Sequence, residues 1–477
     1  MVGTGVFTSL GYQIGGMFEA NDAPSGFPIL MLWVVGGIVA LCGALSYAEF
    51  TSMMPRSGGE YHLMGQAYHP LVGFLAGWVS ITAGFSAPIA ATSMLFGEYM
   101  HGLWPTLDHN IVAYSIVGLL TLLQLGGVRI VAKFQVSLTV MKVLLILGFI
   151  GGAFVLGTHP LTAGILRPQS GDVGKMFSGS FATSLVFVMY AYAGWNGAVY
   201  VAGEMKNPQR NLPLALLFGT LIVMALYVGI NAIFLMGGDW SAMRNKEDVA
   251  FVAARGIFTE RGSWWMGALI AFGLLSTANA ILWTGAAVLR VIGQDMRALC
   301  WLDASDRRGE PVGAVLFMTN LVLLLLGTGS FKSLVLYIQA LLQLCSLMVV
   351  VAVVWWRIAY PERSRPYKVP FYPVPPLIFI AVSIWMLFFM VKRQPTESLW
   401  GAATLVLGVV IYFVAKLGEG GPTVPAQVEP IVAATLPPSE PLPTSAAPPP
   451  AVPVASESAP LPTIAPFPTT PPDNRES

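Results

Sequence analysis

Tyr190-Ala191-Tyr192-Ala193-Gly194-Trp195-Asn196 places a glycine and an amide near the middle of an otherwise apolar run, Phe181 to Val201. Glycine costs a helix about 1 kcal/mol relative to alanine, so a single one inside a span can be a packing notch against a neighbour. A second stretch changes that reading. Met1-Val2-Gly3-Thr4-Gly5-Val6-Phe7 puts two glycines and a threonine at the head of another apolar run. Interrupted segments at matching positions of two halves point to inverted repeats with a binding site at the bilayer midplane.

Working outward, apolar runs between charged or Gly/Pro-rich breaks predict spans near 1–18, 27–51, 71–100, 111–125, 134–157, 179–202, 212–236, 264–289, 311–328, 333–356, 374–391 and 398–415. These runs are long enough to cross a hydrocarbon layer of about 30 Å as helices, and they lack the alternation of barrel strands. The expected fold class is an all-α polytopic membrane protein. Measured from Thr4 and Gly194, the second and seventh spans begin about 23 and 18 residues later, and the fifth and tenth about 130 and 139 residues later. The halves are congruent to within loop lengths, five spans each, with two extra C-terminal helices outside the repeat.

Composition agrees. The 477 residues are 55% hydrophobic and 10% charged, against about 25% charged for a soluble domain whose surface must be hydrated. A net charge of +1 offers no basic field for nucleic acid. Cys42, Cys300 and Cys345 are scattered, and the five histidines lie in loops or at span ends without ligand spacing. No metal or cofactor is expected. Fourteen Lys and Arg fall on one set of loops and nine on the opposite set, which places the first set in the cytoplasm. Beyond residue 416 the composition changes: seventeen of 35 prolines lie in the last 61 residues. Residues 1–416 are expected to form the transmembrane domain, and 417–477 a disordered cytoplasmic tail.

The two breaks also predict a ligand. If the first span runs outward from the cytoplasm, the helix starting after Gly5 turns free N–H groups and a positive dipole end toward the break, which suits a carboxylate. The sixth span runs inward, so its outer half ends near Ala193 with unpaired carbonyls and a negative dipole end, which suits an ammonium. A ligand carrying both charges a few ångströms apart is an α-amino acid.

Gly3-Thr4-Gly5-Val6-Phe7, Ala191 to Asn196 running into Gly203-Glu204-Met205-Lys206-Asn207-Pro208, and Arg365-Pro366-Tyr367-Lys368-Val369-Pro370-Phe371-Tyr372-Pro373 resemble the amino acid-polyamine-organocation superfamily, with L-type amino-acid-transporter-like permeases as the nearest subgroup. Pro55-Arg56-Ser57-Gly58-Gly59-Glu60-Tyr61 and Ser276-Thr277-Ala278-Asn279-Ala280 agree. The resemblance implies a leucine-transporter-type 5+5 inverted repeat and secondary active transport of amino acids by alternating access. By the same resemblance, Gly3, Thr4 and Gly5 hold the substrate carboxylate, and the carbonyls of Tyr190, Ala191 and Ala193 beside Gly194 hold the amine. Tyr190 closes the outer side, Asn196 helps hold the broken region, and Arg56 and Glu60 belong to the loop that gates the inner side. The loop from His101 to Asn110 lacks the cysteine of animal members that pair with a glycoprotein. The chain therefore looks like the self-sufficient bacterial kind, in the inner membrane, without a disulfide-linked heavy chain.

Lys142 is the one basic residue inside its apolar stretch, where an unpaired ammonium costs several kcal/mol. Either it snorkels about 12 Å to the inner end of its span, or it supplies the charge that sodium supplies in related permeases. The latter leaves proton symport and sodium-independent exchange both open. Gln124, Asn231, Asn320, Gln339 and Gln343 are expected to tie helices together, Glu204 to pair with Lys206 or Arg210, and Tyr190, Trp283 and Tyr337 to be candidates for the side-chain pocket. A polyamine or other amine permease is the alternative reading, disfavoured because the intramembrane acids, Glu49 and Glu98, sit near span ends. The first span is also short at its cytoplasmic half. The expectation is that the true start lies upstream and adds roughly 15 to 30 residues; otherwise the chain is a truncated, non-functional permease.

Overall fold

The computed structural model describes residues 3–19, 25–56, 58–126, 128–157, 161–200, 202–305, 309, 311–328 and 330–417. The proline-rich segment lies outside the described residues. Those described fold almost entirely into helices, and no strand occurs among them. Twelve helices fall at the twelve predicted places: α1 (Gly5–Met17), α2 (Gly26–Met53), α3 (Pro70–Leu103), α4 (His109–Leu125), α5 (Val128–Val155), α6 (Gly179–Tyr192), α7 (Pro208–Gly237), α8 (Glu260–Asp295), α9 (Val312–Leu326), α10 (Phe331–Ala359), α11 (Val374–Arg393) and α12 (Pro395–Leu417). Of these, α2, α3, α7, α8, α10, α11 and α12 are long and apolar enough to cross a membrane unaided.

Local chemistry sets the ends. Asp108 caps α4 by accepting from the amides of Asn110 and Ile111, and the Ser178 hydroxyl caps α6 by accepting from Phe181 N. Such caps satisfy donors that have no partner inside the helix. Prolines open α3 and α7, where a missing N–H costs nothing.

Helix pairing follows the repeat. α1 packs on α6, α2 on α7, α3 on α8 and α4 on α9, each against its counterpart in the other half. The last two helices lie outside this pairing: α11 packs on α2, α6 and α10, and α12 on α3 and α10. Between the halves sits a cluster of Trp33, Tyr192 and Tyr227, with Trp33 edge-on to Tyr227 at 5.7 Å between ring centroids. Its polar tips are satisfied internally, since Trp33 Nε1 donates to Gln13 and the Tyr192 hydroxyl donates to the Trp33 carbonyl.

One end of the bundle is held by charge. Glu49, 1% exposed, takes hydrogen bonds from the Arg357 guanidinium and, at 2.7 Å, from the amide of Val369, with Arg365 at 3.5 Å. Arg357 also lies 3.7 Å from the ring centroid of Tyr372. Arg365, Val369 and Tyr372 all belong to the stretch Arg365–Pro373, so that stretch is where the connection from α10 to α11 is clamped onto α2.

Candidate substrate cavity

The two breaks meet. α1 starts at Gly5, and α6 ends at Tyr192, followed by Ala193 in an extended conformation and Gly194 at φ +85° before a short helix, Gly197–Tyr200. Positive φ is open to glycine at little cost, and it lets Ala193 and Gly194 close a tight turn in which Trp195 N donates to the Tyr192 carbonyl at 3.3 Å. The start of α1 lies directly on the end of α6: a Cβ on Gly5 would fall 2.6 Å from Ala191 Cβ and 2.9 Å from Ala191 N. Thr4 Oγ1 and the Tyr190 hydroxyl share a hydrogen bond of 2.9 Å, which joins the two breaks through side chains as well.

Around this junction lies a cavity of about 460 Å³. Gly3, Thr4, Gly5, Lys142, Tyr190, Ala191, Ala193, Gly194 and Asn196 all line it, so every residue predicted for substrate or coupling reaches one wall or another. Its electrostatics follow from the backbone. The first amides of a helix and the last carbonyls of another have no partners within their own helices, and these two ends carry partial charges of opposite sign. At α6, the Tyr190 carbonyl accepts from Ala193 N at 3.0 Å and the Ala191 carbonyl from the Tyr227 hydroxyl at 3.2 Å. A carbonyl oxygen has two lone pairs, so each retains capacity for a second donor.

Lys142 does not snorkel. It is 8% exposed, and its Nζ donates to Thr277 Oγ1 of α8 at 2.8 Å. It also borders a recess formed with Gly3 and Phe7 of the first span and Ile270, Gly273 and Thr277 of α8. That recess has room for about one water molecule.

Arg56 and Glu60 stand apart from the cavity. Arg56 pairs with Asp295 at 2.9 Å, joining the segment that follows α2 to the last residue of α8. Glu60 lies in a short helix, Gly59–Ala67, and is 1% exposed. It reaches the cavity wall indirectly, because Asn196 Nδ2 donates to Glu60 Oε1 at 3.0 Å.

Several expectations need correction. Gln339 and Gln343 line the cavity as well as tying helices, in a relay from Gln339 to Gln343 to Ser383 of α11. Trp283 and Tyr337 are not among the lining residues, and the Tyr337 hydroxyl is bonded to Thr404 at 3.0 Å. Gln124 does tie α4 to α8 through Asn279, but Asn231 and Asn320 bond carbonyls of their own helices. The side chain of Glu204 lies outside those described.

The sequence reading missed Gly84 and Phe85, which reach the cavity from a π-helical segment, Ser80–Ser86, inside α3. No residue pattern marks such a bulge, although π segments recur at functional sites. Phe379 of α11 was also missed, because α11 lies outside the repeat.

Known proteins match this chain over most of its length. A family model described as amino acid permease matches residues 1–412. The b(0,+)-type amino acid transporter 1 of Mus musculus is 27% identical over 435 residues, covering 87% of this chain and 84% of that protein. Its Homo sapiens counterpart is 26% identical over 421 residues, with the same shares. The large neutral amino acids transporter small subunit 2 of Homo sapiens is 27% identical over 443 residues, covering 88% of this chain and 79% of that protein.

Proposed function

The chain belongs to the amino acid permease family, and from that premise we propose that it is a secondary active transporter that carries amino acids by alternating access. The observation that carries this reading is the meeting of two opposite helix ends at one cavity, with Gly5 against Ala191. A substrate carboxylate is held by Gly3, Thr4 and Gly5 at the amide end of α1. Its ammonium is held at the other pole by the carbonyls of Tyr190, Ala191 and Ala193. The side chain then lies among α3, α8 and α10, where Thr92, Thr277, Thr284, Gln339, Gln343 and Ser346 put polar side chains into the wall.

A zwitterion suits this wall better than a polyamine does. No Asp or Glu lines the cavity among the described residues, and Lys142 contributes a positive charge. A dication there would lack counter-charges, at a cost of several kcal/mol. Lys142 is the coupling residue of this proposal, by proton symport or by supplying the fixed charge of an exchanger. The membrane is the bacterial inner membrane, with Arg56, Glu60 and the proline-rich tail on the cytoplasmic side and no disulfide-linked heavy chain.

The test is uptake by purified chain in proteoliposomes, with each of the twenty amino acids and putrescine offered separately. Accumulation of a subset of amino acids and none of putrescine is expected, whereas uptake confined to putrescine would overturn the reading. Replacing Lys142 by Ala is expected to abolish any dependence of uptake on a proton gradient; unchanged proton-driven uptake would remove the residue from the coupling role.

A further inference from the structure

Glu60 is a buried carboxyl that the substrate reading leaves without work. It sits outside the spans, in the short helix between α2 and α3, and three parts of the fold converge on it. From α2, the Tyr47 hydroxyl donates to Oε1 at 2.6 Å. From the turn after α6, Asn196 Nδ2 donates to the same oxygen at 3.0 Å. From α10, the Ser346 hydroxyl faces it. None of the ion pairs among the described residues includes it, and Arg56, four residues away, is engaged by Asp295. The other titratable groups facing it are the phenols of Tyr47 and Tyr200 and the thiol of Cys345, none of which brings a positive charge. On its own helix the neighbour is His62, held well below the usual imidazole range by burial, so that it too is neutral at physiological pH.

Asn196 connects this carboxyl to transport, since it lines the cavity two residues beyond Gly194. Trp195, also on the turn, stands edge-on to Tyr47 with ring centroids 4.7 Å apart. The turn that presents the α6 carbonyls is therefore pinned from below by a pair, Tyr47 and Glu60, of which one member can ionise.

We infer that Glu60 is a positioning residue for the cavity, which in its proton-bearing form holds the turn of α6 through Asn196 and on ionisation favours separation of the short helix from that turn. The inference rests on the transporter reading given above. Its physical basis is linkage. Burial holds the Glu60 carboxyl up at about 7, and the hydrogen bonds from Tyr47 and Asn196, with the Ser346 hydroxyl nearby, bring it only part of the way back. Once the short helix parts from the turn and water reaches the carboxyl, it returns to the ordinary carboxylate range. The packed arrangement thus binds the proton more tightly than the parted one, and raising the pH shifts the equilibrium toward the parted one. The proton leaves to the water that enters and returns from it on closure, so no net proton movement across the membrane is required.

The experiment uses the full chain in proteoliposomes with a uniformly labelled mixture of the twenty amino acids, from about pH 5.5 to about pH 8.5, comparing the unaltered chain with Glu60→Gln and Glu60→Ala. Gln keeps an acceptor for Asn196 and Tyr47 and cannot ionise. In the unaltered chain, KM is expected to rise about fivefold or more through neutral pH while kcat changes less. Glu60→Gln should flatten that rise at the low value, and Glu60→Ala should show the high KM throughout. A pH-independent KM in the unaltered chain, or the same pH profile in Glu60→Gln, overturns the inference.

Thermal melting in detergent gives a readout that needs no transport. Because the folded carboxyl is raised above its unfolded value, the native state holds more protons between about pH 4.5 and about pH 7, and stability contributed by this group falls as pH rises through that window. The Tm of Glu60→Gln minus that of the unaltered chain should grow across the same window and then level off. A difference that stays constant with pH overturns the inference. If no amino acid enters at any pH while the Tm difference follows this course, it is the transporter reading that fails.

Discussion

The two breaks both use glycine, for different reasons. At α1 the backbone is ordinary and the requirement is space: Thr4 has helical dihedrals, and Gly5 is needed because Ala191 occupies the place its Cβ would take. At α6 the requirement is the backbone itself, because Gly194 takes φ +85° to close the turn that follows the helix. One glycine permits two helix ends to touch and the other permits the tight turn beyond a helix end. A binding site made from opposite dipole ends needs both, since the charges act together only when the ends share one cavity.

Substitutions can separate the two requirements. The largest effect is expected from Gly5→Ala. Its new methyl meets backbone rather than a movable side chain, so relief demands that α1 and α6 separate. Overpacking of this kind costs about 3 kcal/mol, roughly a hundredfold in transport. Initial uptake rates of reconstituted protein measure it, and near-normal uptake would show that the contact is not needed.

Gly194→Ala should cost less, about 1–2 kcal/mol for a left-handed alanine, or roughly tenfold. The discriminating pair is asparagine at each position. Asparagine tolerates positive φ, so Gly194→Asn should recover part of the loss, whereas Gly5→Asn should be no better than Gly5→Ala. Equal behaviour of the two asparagine variants would collapse the distinction between space and backbone.

The smallest effect is expected from Tyr190→Phe, which removes the hydroxyl shared with Thr4. Loss of one neutral hydrogen bond costs about 0.5–1.5 kcal/mol, a few-fold change in KM. The ring remains in the cavity wall. A loss as large as that of Gly5→Ala would mean that side chains, rather than the glycine contact, hold the two breaks together.

Much of this was legible from residues alone. The twelve helices were readable because a membrane forces each span into a long apolar run, and the turn at Gly194 because glycine and amide residues stand out inside one. The residues proposed to hold substrate fall in two short stretches, Gly3 to Gly5 and Tyr190 to Asn196, so a local pattern could expose them. The π segment of α3 and the relay from Gln339 to Ser383 could not be read that way. The first is a change of helical winding with no compositional mark, and the second depends on which faces of α10 and α11 meet.

Glu49 shows the same division. Its position near the end of α2 was visible, as was the stretch Arg365-Pro366-Tyr367-Lys368-Val369, but nothing in their spacing of over three hundred residues said that one is the anchor of the other. The sequence by itself determined that this protein is a bundle of apolar helices, where two of them break, and which dipole ends those breaks expose, because these are properties of single segments. Only the tertiary structure decided that the breaks touch, that Lys142 meets Thr277, and that Glu60 reaches the cavity through Asn196. Each of these is a contact between segments far apart in the chain, fixed by how closely backbones can approach and by where a buried polar group finds its partner.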